Sequence, residues 1–243
     1  MLLCGELVFV EEVFRNILLM FICYAYILLI IFVSGKMDKF LHVSRKTSRK
    51  FLHIMIGNLI FLIPFFTATI YPVIVAAPFI LVTFLASSYS PLKEFGSKIK
   101  GLADITEEGH QLGLVFYAIS YTFLAVFFAS KPYVIAAGIL PMAYGDACAS
   151  IVGEAYGRKK YRVFAGKSLE GSTAMFFASF LSFTFSLAFF SMLYPFSIFD
   201  KFAAVLWVAL VATLAEAISP VGFDNLTVPI FCVLVFLLLG GGV

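Results

Sequence analysis

Charge is what this sequence has least of. Only 13% of its 243 residues are Asp, Glu, Lys or Arg, about half of the ~25% usual in a soluble domain, which excludes an ordinary water-soluble fold. Cysteine and histidine are also sparse. Cys4, Cys23, Cys148 and Cys232 stand far apart and three lie in apolar stretches, so neither a disulfide framework nor a zinc site is expected. The N-terminus lacks a basic run and carries Glu6, Glu11 and Glu12 instead, which argues against a cleaved signal peptide. No internal repeat is evident, and no linker is long enough for a separate soluble domain. Residues 1–243 are expected to form one integral-membrane domain with short cytoplasmic loops.

What fills the chain is hydrophobic: 62% of residues, 30 of them phenylalanine, with a mean hydropathy of +1.04. Apolar runs of spanning length satisfy their backbone in lipid only as helices. The expected fold is therefore all-α, a polytopic transmembrane helix bundle. About eight spans are predicted, at residues 16–33, 51–70, 72–88, 111–129, 132–152, 171–193, 202–219 and 226–241. The count falls to seven if the short third span is re-entrant. Tyr71-Pro72 is expected to form the hairpin between the second and third, because proline disfavours continuation of the preceding helix.

Eight spans place the linkers 34–50, 89–110, 153–170 and 220–225 on one side of the bilayer. Those linkers carry fourteen of the seventeen Lys and Arg residues; only Arg15, Lys131 and Lys201 lie elsewhere. The positive-inside rule makes that side cytoplasmic, with both termini outside.

The segment richest in polar chemistry begins at Gly145-Asp146. Helical steps of 100° put Asp146, Ala149, Ser150, Gly153 and Gly157 on one stripe. Small residues there serve close helix packing, but packing needs no aspartate, and a carboxylate within the membrane suggests function. Small residues also let backbone N–H groups approach an anion, which the run Arg158, Lys159, Lys160 and Arg162 would neutralise while a carboxylate holds a divalent metal. Gly166-Lys167-Ser168 invites comparison with the P-loop, G-x-x-x-x-G-K-[ST]. The comparison fails because Tyr161 stands at the first glycine and no strand is expected before it.

Three further groups map to the same side. Arg49, Lys50, His53 and Gly57 share one helical face, which positive-inside flanking and a packed histidine also explain. Glu216 stands amid apolar residues and must be paired, protonated, metal-bound or snorkelling to the interface; Asp224-Asn225 follows it. Asp104, Glu107, Glu108 and His110 form either a solvated acidic linker or a supporting part of the site. The sequon Asn225-Leu-Thr227 falls on the cytoplasmic side and is a chance match. The positive-inside rule is nearly indifferent to acidic residues, so their convergence on this face is the informative feature.

In these residues the chain resembles the CTP-dependent polyprenol kinase family, which includes dolichol kinase, phytol kinase and a CTP-dependent diacylglycerol kinase. The matching elements are Arg49-Lys50-x-x-His53, Gly145-Asp146-x-x-Ala149, Gly153-x-x-x-Gly157, Lys167-Ser168-x-Glu170-Gly171-Ser172, Glu216 and Asp224-Asn225-Leu-Thr-Val-Pro229. Each is short, but their order runs from the second span to the eighth. The resemblance implies phosphoryl transfer from CTP with Mg2+ to a membrane isoprenoid alcohol. It implies catalytic roles for Asp146, Lys167, Glu216 and His53, with Asp146 and Glu216 on the metal. Gly145, Gly153, Gly157, Arg158, Lys159, Lys160, Lys167, Ser168, Glu170, Gly171, Arg49, Lys50, Asp224 and Asn225 would bind the nucleotide. The partners implied are CTP, the lipid alcohol and the bilayer of a cell membrane or endoplasmic reticulum; no nucleic acid is expected. A more distant similarity is to membrane cytidylyltransferases that make CDP-diacylglycerol. Those usually carry a longer acidic motif, whereas Asp146 here is followed by Ala-Cys-Ala. A transporter would instead place its polar groups at the bilayer midplane.

Overall fold

The structure, a computed structural model, describes residues 2–91 and 112–242. Lys93, Lys98, Lys100, Asp104, Glu107, Glu108 and His110 lie outside the described residues. The described chain is all-α apart from one small hairpin. In order it forms α1 (Leu2–Ser34), α2 (Met37–Leu41), α3 (Arg45–Gly57), a 3₁₀ continuation (Asn58–Phe65), α4 (Ile70–Ala76) and α5 (Pro78–Ala86). After the undescribed segment come α6 (Gly113–Phe128), α7 (Pro132–Leu140), a π-helical turn (Pro141–Gly145) and α8 (Asp146–Tyr156). The hairpin β1 (Lys160–Arg162) and β2 (Gly166–Ser168) then leads into α9 (Leu169–Ser191), α10 (Ile198–Ile218) and α11 (Asp224–Leu238).

Among the described residues, five helical stretches are long and apolar enough to cross a membrane: Val10–Ser34, Arg45–Phe65, Pro132–Tyr156, Leu169–Ser191 and Ile198–Ile218. Ile70–Ala86, Gly113–Phe128 and Asp224–Leu238 are apolar but shorter. The outer surface is consistent with a bilayer: Phe199, Leu238, Phe185 and Phe21 are all 70% exposed or more, which water would penalise as a contiguous patch. The stretch 132–156 is the axis of the bundle. Its most apolar window is 78% buried, against 22% for α1. Around it pack α9, α10, α11 and α3, with Ile135, Ile139, Met142, Met175, Val208 and Phe236 sealed between them.

Two departures from regular helix position the polar face. Pro141 lacks an N–H and cannot continue the α-helical ladder, and the backbone widens into the π turn that ends at Gly145. Asp146 follows immediately as the first residue of α8. In the neighbouring helix, α3 tightens to 3₁₀ at Asn58, where the chain runs close against the π turn. A Cβ on Gly57 would stand 3.1 Å from Ala143, and Tyr144 donates to Asn58 Oδ1 at 2.8 Å.

Tyr71-Pro72 does not form the expected hairpin. The chain turns at 66–69, and Pro72 sits in the first turn of α4, where a missing N–H costs no helical bond. Asn16 of α1 holds that turn: its Oδ1 accepts from Thr67 N at 2.9 Å and its amide donates to Thr67 Oγ1.

Candidate functional site

At the end of the bundle formed by α3, α8, α10 and the start of α11 lies a cavity of about 690 Å³, within the usual range for small-molecule sites. Its basic lining is Lys46, Arg49, Lys50, Lys160, Arg162 and Lys167; its carboxylates are Asp146, Glu154, Glu216 and Asp224. Six cations against four carboxylates leave it net positive. Burial of charge is costly unless the charges are paired; two ion pairs do that in the depth of the cavity, and a third spans its exposed rim. Lys50 on α3 bonds Asp146 on α8, Lys167 in the middle of β2 bonds Glu216 on α10, and Lys46 bonds Glu154 across the rim. Asp224 lines the same cavity, and one of its oxygens accepts from Asn225 N at 2.9 Å.

Lys167 is drawn deepest of the hairpin's cations. Burial opposes its charge, but the Glu216 carboxylate beside it, with Asp146 and Asp224 nearby, outweighs that and holds its amine above the ordinary value of 10.5. It remains a cation throughout the physiological range.

The small residues serve the hairpin's close approach to α8. Ser168 caps α9 by accepting from Gly171 N at 3.1 Å, and Gly153, Gly157 and Gly171 surround its hydroxyl. A Cβ on Gly157 would fall 2.2 Å from Gly153 O and 2.8 Å from Ser168 Oγ; one on Gly171 would meet Ala149 O at 2.9 Å. Backbone contact compels Gly157 and Gly171, and the Ser168 hydroxyl crowds Gly153; together they open a polar wall on the cavity, which Gly153, Gly157, Ser168 and Gly171 all line.

Other residues singled out in the sequence lie off the cavity lining. Gly145 does not reach the cavity: its missing side chain makes room for Ser179 and Met175, whose atoms a Cβ would meet at 2.4 and 2.6 Å. His53 is buried and does not line the cavity; its ring stands 4.8 Å from that of Tyr117 and its carbonyl accepts from the Tyr117 hydroxyl. Arg158 and Lys159 are exposed and off the cavity lining. Glu170 accepts from Lys159 N at 3.2 Å, fixing the base of the hairpin. Asn225 is buried beside Gly113, and its carbonyl accepts from Ser120 at 2.7 Å. A strand does precede Gly166-Lys167-Ser168, contrary to expectation, but it pairs antiparallel, Lys160 with Ser168 and Arg162 with Gly166. That is not the parallel strand–loop–helix unit of a P-loop.

Sequence reasoning missed Lys46, Glu154 and Phe164 on the lining. The first two had a signal. Lys46 lies one turn before Lys50, and Glu154 two turns after Asp146, each on the face already singled out.

Among the described residues no group of three or more His, Cys, Asp or Glu side chains is placed to hold a metal alone. For Mg2+ that is no obstacle in kind, since it is commonly bound by one or two carboxylates together with substrate phosphates. Asp146, Glu216 and Asp224 supply the right oxygen chemistry on one cavity.

Fold and site thus define an all-α, membrane-type helix bundle with an open-sided, cation-rich cavity at one end. Comparison with known proteins gives relatives of one kind. A phytol kinase of Synechocystis sp. is 40% identical over 124 residues, 50% of this chain and 52% of that protein. The probable phytol kinase 2, chloroplastic, of Glycine max is 31% identical over 147 residues, covering 58% of this chain and 50% of its own. The probable phytol kinase, chloroplastic, of Triticum aestivum is 33% identical over 145 residues, covering 56% and 48%. The chain spans about half the length of the curated relatives it matches. No family model and no solved structure matches it.

Proposed function

We propose that the chain is a lipid-alcohol kinase, transferring the γ-phosphoryl group of CTP to the hydroxyl of a phytol-type isoprenoid alcohol and releasing CDP. The observation that carries this reading is the pairing of Lys50 with Asp146 and Lys167 with Glu216 around one cavity, in a chain whose relatives are named phytol kinases. Phosphoryl transfer asks mainly for positioning and charge neutralisation. Lys50, Lys167, Arg49, Lys160 and Arg162 supply the cations for a triphosphate, beside the small-residue wall around Ser168. Asp146 and Glu216 are the residues to hold Mg2+, which when bound neutralises phosphate charge. The alcohol oxygen forms its bond to the γ-phosphorus as the bond to the CDP oxygen breaks. Asp224, outside the two deep ion pairs, is the group proposed to take the hydroxyl proton.

The tail has a place on the opposite face of α3. Leu52 and Ile56 lie about 200–240° around the helix from Lys50. With Leu59, Ile63, Ile27, Val75, Tyr117 and Tyr121 they line an apolar pocket of about 80 Å³. That volume holds part of an isoprenoid chain, and the remainder would run outward between helices into lipid.

We further propose eight spans, the three shorter apolar helices included, with the cavity on the cytoplasmic side. Purified full chain given CTP labelled in the γ-phosphate, a divalent cation and phytol should move label into a lipid monophosphate. Label found only in pyrophosphate would mark nucleotidyl transfer and overturn the kinase reading.

A further inference from the structure

Phe164 is the one aromatic side chain lining the cavity among the described residues, and it is 64% exposed. Its placement follows from the hairpin. Lys160 and Arg162 occupy alternate positions of β1, and Phe164 is the next alternate position, in the turn; all three line the cavity. Tyr161, between the two cations, is turned to other use, its hydroxyl 2.6 Å from Ser172 Oγ. The hairpin's base is fixed as well, by Leu169 N donating to Lys159 O at 3.0 Å and by Glu170 on Lys159 N. The turn therefore carries a large apolar ring on an anchored support, at the open side of a cavity whose other lining, Val221 apart, is charged, polar or small.

We propose that Phe164 is the stacking platform for the nucleobase of the phosphoryl donor, a role that rests on the nucleotide reading above. The order along the hairpin suits a nucleotide. From base to tip come Lys160, then Lys167 opposite Tyr161 and bonded to the deep carboxylate Glu216, then Arg162 opposite Gly166, with the aromatic ring in the turn beyond. Strand residues advance about 3.3 Å each, so Lys160 to Phe164 covers roughly 13 Å of backbone at most, a span able to divide phosphate from base contacts. Every base has a π-face, so such a platform strengthens nucleotide binding without reading hydrogen bonds. It also accounts for an exposed phenylalanine in the turn that follows Lys160 and Arg162.

The test is equilibrium binding to the full chain in nanodiscs, using CTP and inorganic tripolyphosphate as probes, with wild type, Phe164→Ala and Phe164→Trp. Phe164→Ala should weaken CTP about 5- to 150-fold, the usual range for loss of one base–aromatic stack, and leave tripolyphosphate within about twofold. Phe164→Trp should keep CTP affinity, and its added indole emission, read against the Trp207 background, should be quenched by CTP and not by tripolyphosphate. An unchanged CTP affinity in Phe164→Ala overturns the platform while leaving the kinase reading intact. Equal weakening of both probes assigns Phe164 to hairpin integrity and overturns it too. If wild type binds neither probe, the nucleotide reading itself falls.

Discussion

Lys50 on α3 and Asp146 on α8, 96 residues apart in sequence, form an ion pair whose side chains are only 6% and 7% exposed. The pair ties the helix that carries the apolar pocket to the helix that follows the π turn. Removing one partner leaves an uncompensated buried charge, at a typical cost of about 3–5 kcal/mol, whereas replacing both by apolar groups is often neutral. Asp146→Asn and Lys50→Met should therefore each lower the midpoint of thermal unfolding and abolish turnover. The double variant Lys50→Met/Asp146→Leu should regain most of the thermal stability and none of the activity. A double variant as unstable as the singles would mean that the pair is not the unit it is described to be.

Lys167 and Glu216 allow a pH experiment. The lysine's folded value is raised above 10.5 by Glu216 and its neighbours, despite burial. A raised value contributes stability that is full below the unfolded pKa and is lost as pH rises through the folded one. The difference in unfolding midpoint between wild type and Glu216→Gln should stay constant from about pH 8 to about pH 10 and shrink above that. A difference already shrinking at about pH 8 would contradict the assigned pairing.

The glycines around Ser168 separate by geometry. Gly157→Ala would drive a Cβ to 2.2 Å from a backbone carbonyl that cannot step aside, whereas Gly166 has nothing within 4 Å of that position. Gly157→Ala should unfold or fail to accumulate. Gly166→Ala should keep wild-type thermal stability, and Ser168→Ala should lie between them, losing about 1 kcal/mol with its cap. The three midpoints, measured in one detergent, check the order.

Much of this arrangement was legible in the sequence, and what was not has physical causes. Asp146, Lys167, Glu216 and Asp224 were each conspicuous as charges within or beside apolar runs, and the structure sets all four on one cavity. His53 shares a helical face with Lys50, but periodicity does not say which neighbour covers each turn; Tyr117 covers this one. Gly145 looked like part of the polar motif because it adjoins Asp146, while its partners, Ser179 and Met175, come from another helix. Pro141 announced a disturbance in its helix without specifying a π turn. The hairpin was hidden because three-residue strands leave almost no periodic signal. Phe164 was hidden with it.

The apolar pocket makes a prediction about the alcohol that leaves the nucleotide aside. Leu59 is 7% exposed and faces the pocket with Ile56, Ile63 and Val75. Leu59→Trp would fill much of its 80 Å³. The KM for phytol should rise at least several-fold while that for CTP holds. Equal effects on both would mean a damaged bundle, not a blocked tail site.

The proposed topology is tested at both ends of the bundle. Lys131 and Lys201 donate to the carbonyls of Gly242 and Gly240, just beyond α11, where cations favour the helix's negative end. Asp224 begins that helix at the cavity, so these lysines stand at the far end from the cationic cluster. Arg45 and Lys160 are exposed near the cavity end, and Ser130 is exposed beside Lys131. In a background with Cys148→Ser, Arg45→Cys and Lys160→Cys should react with an impermeant thiol reagent only after the cytoplasmic face is opened. Ser130→Cys should react from outside in intact cells. Labelling of positions 45 and 160 from opposite faces would break the eight-span arrangement, and with it the placement of the cavity where cytoplasmic CTP could enter.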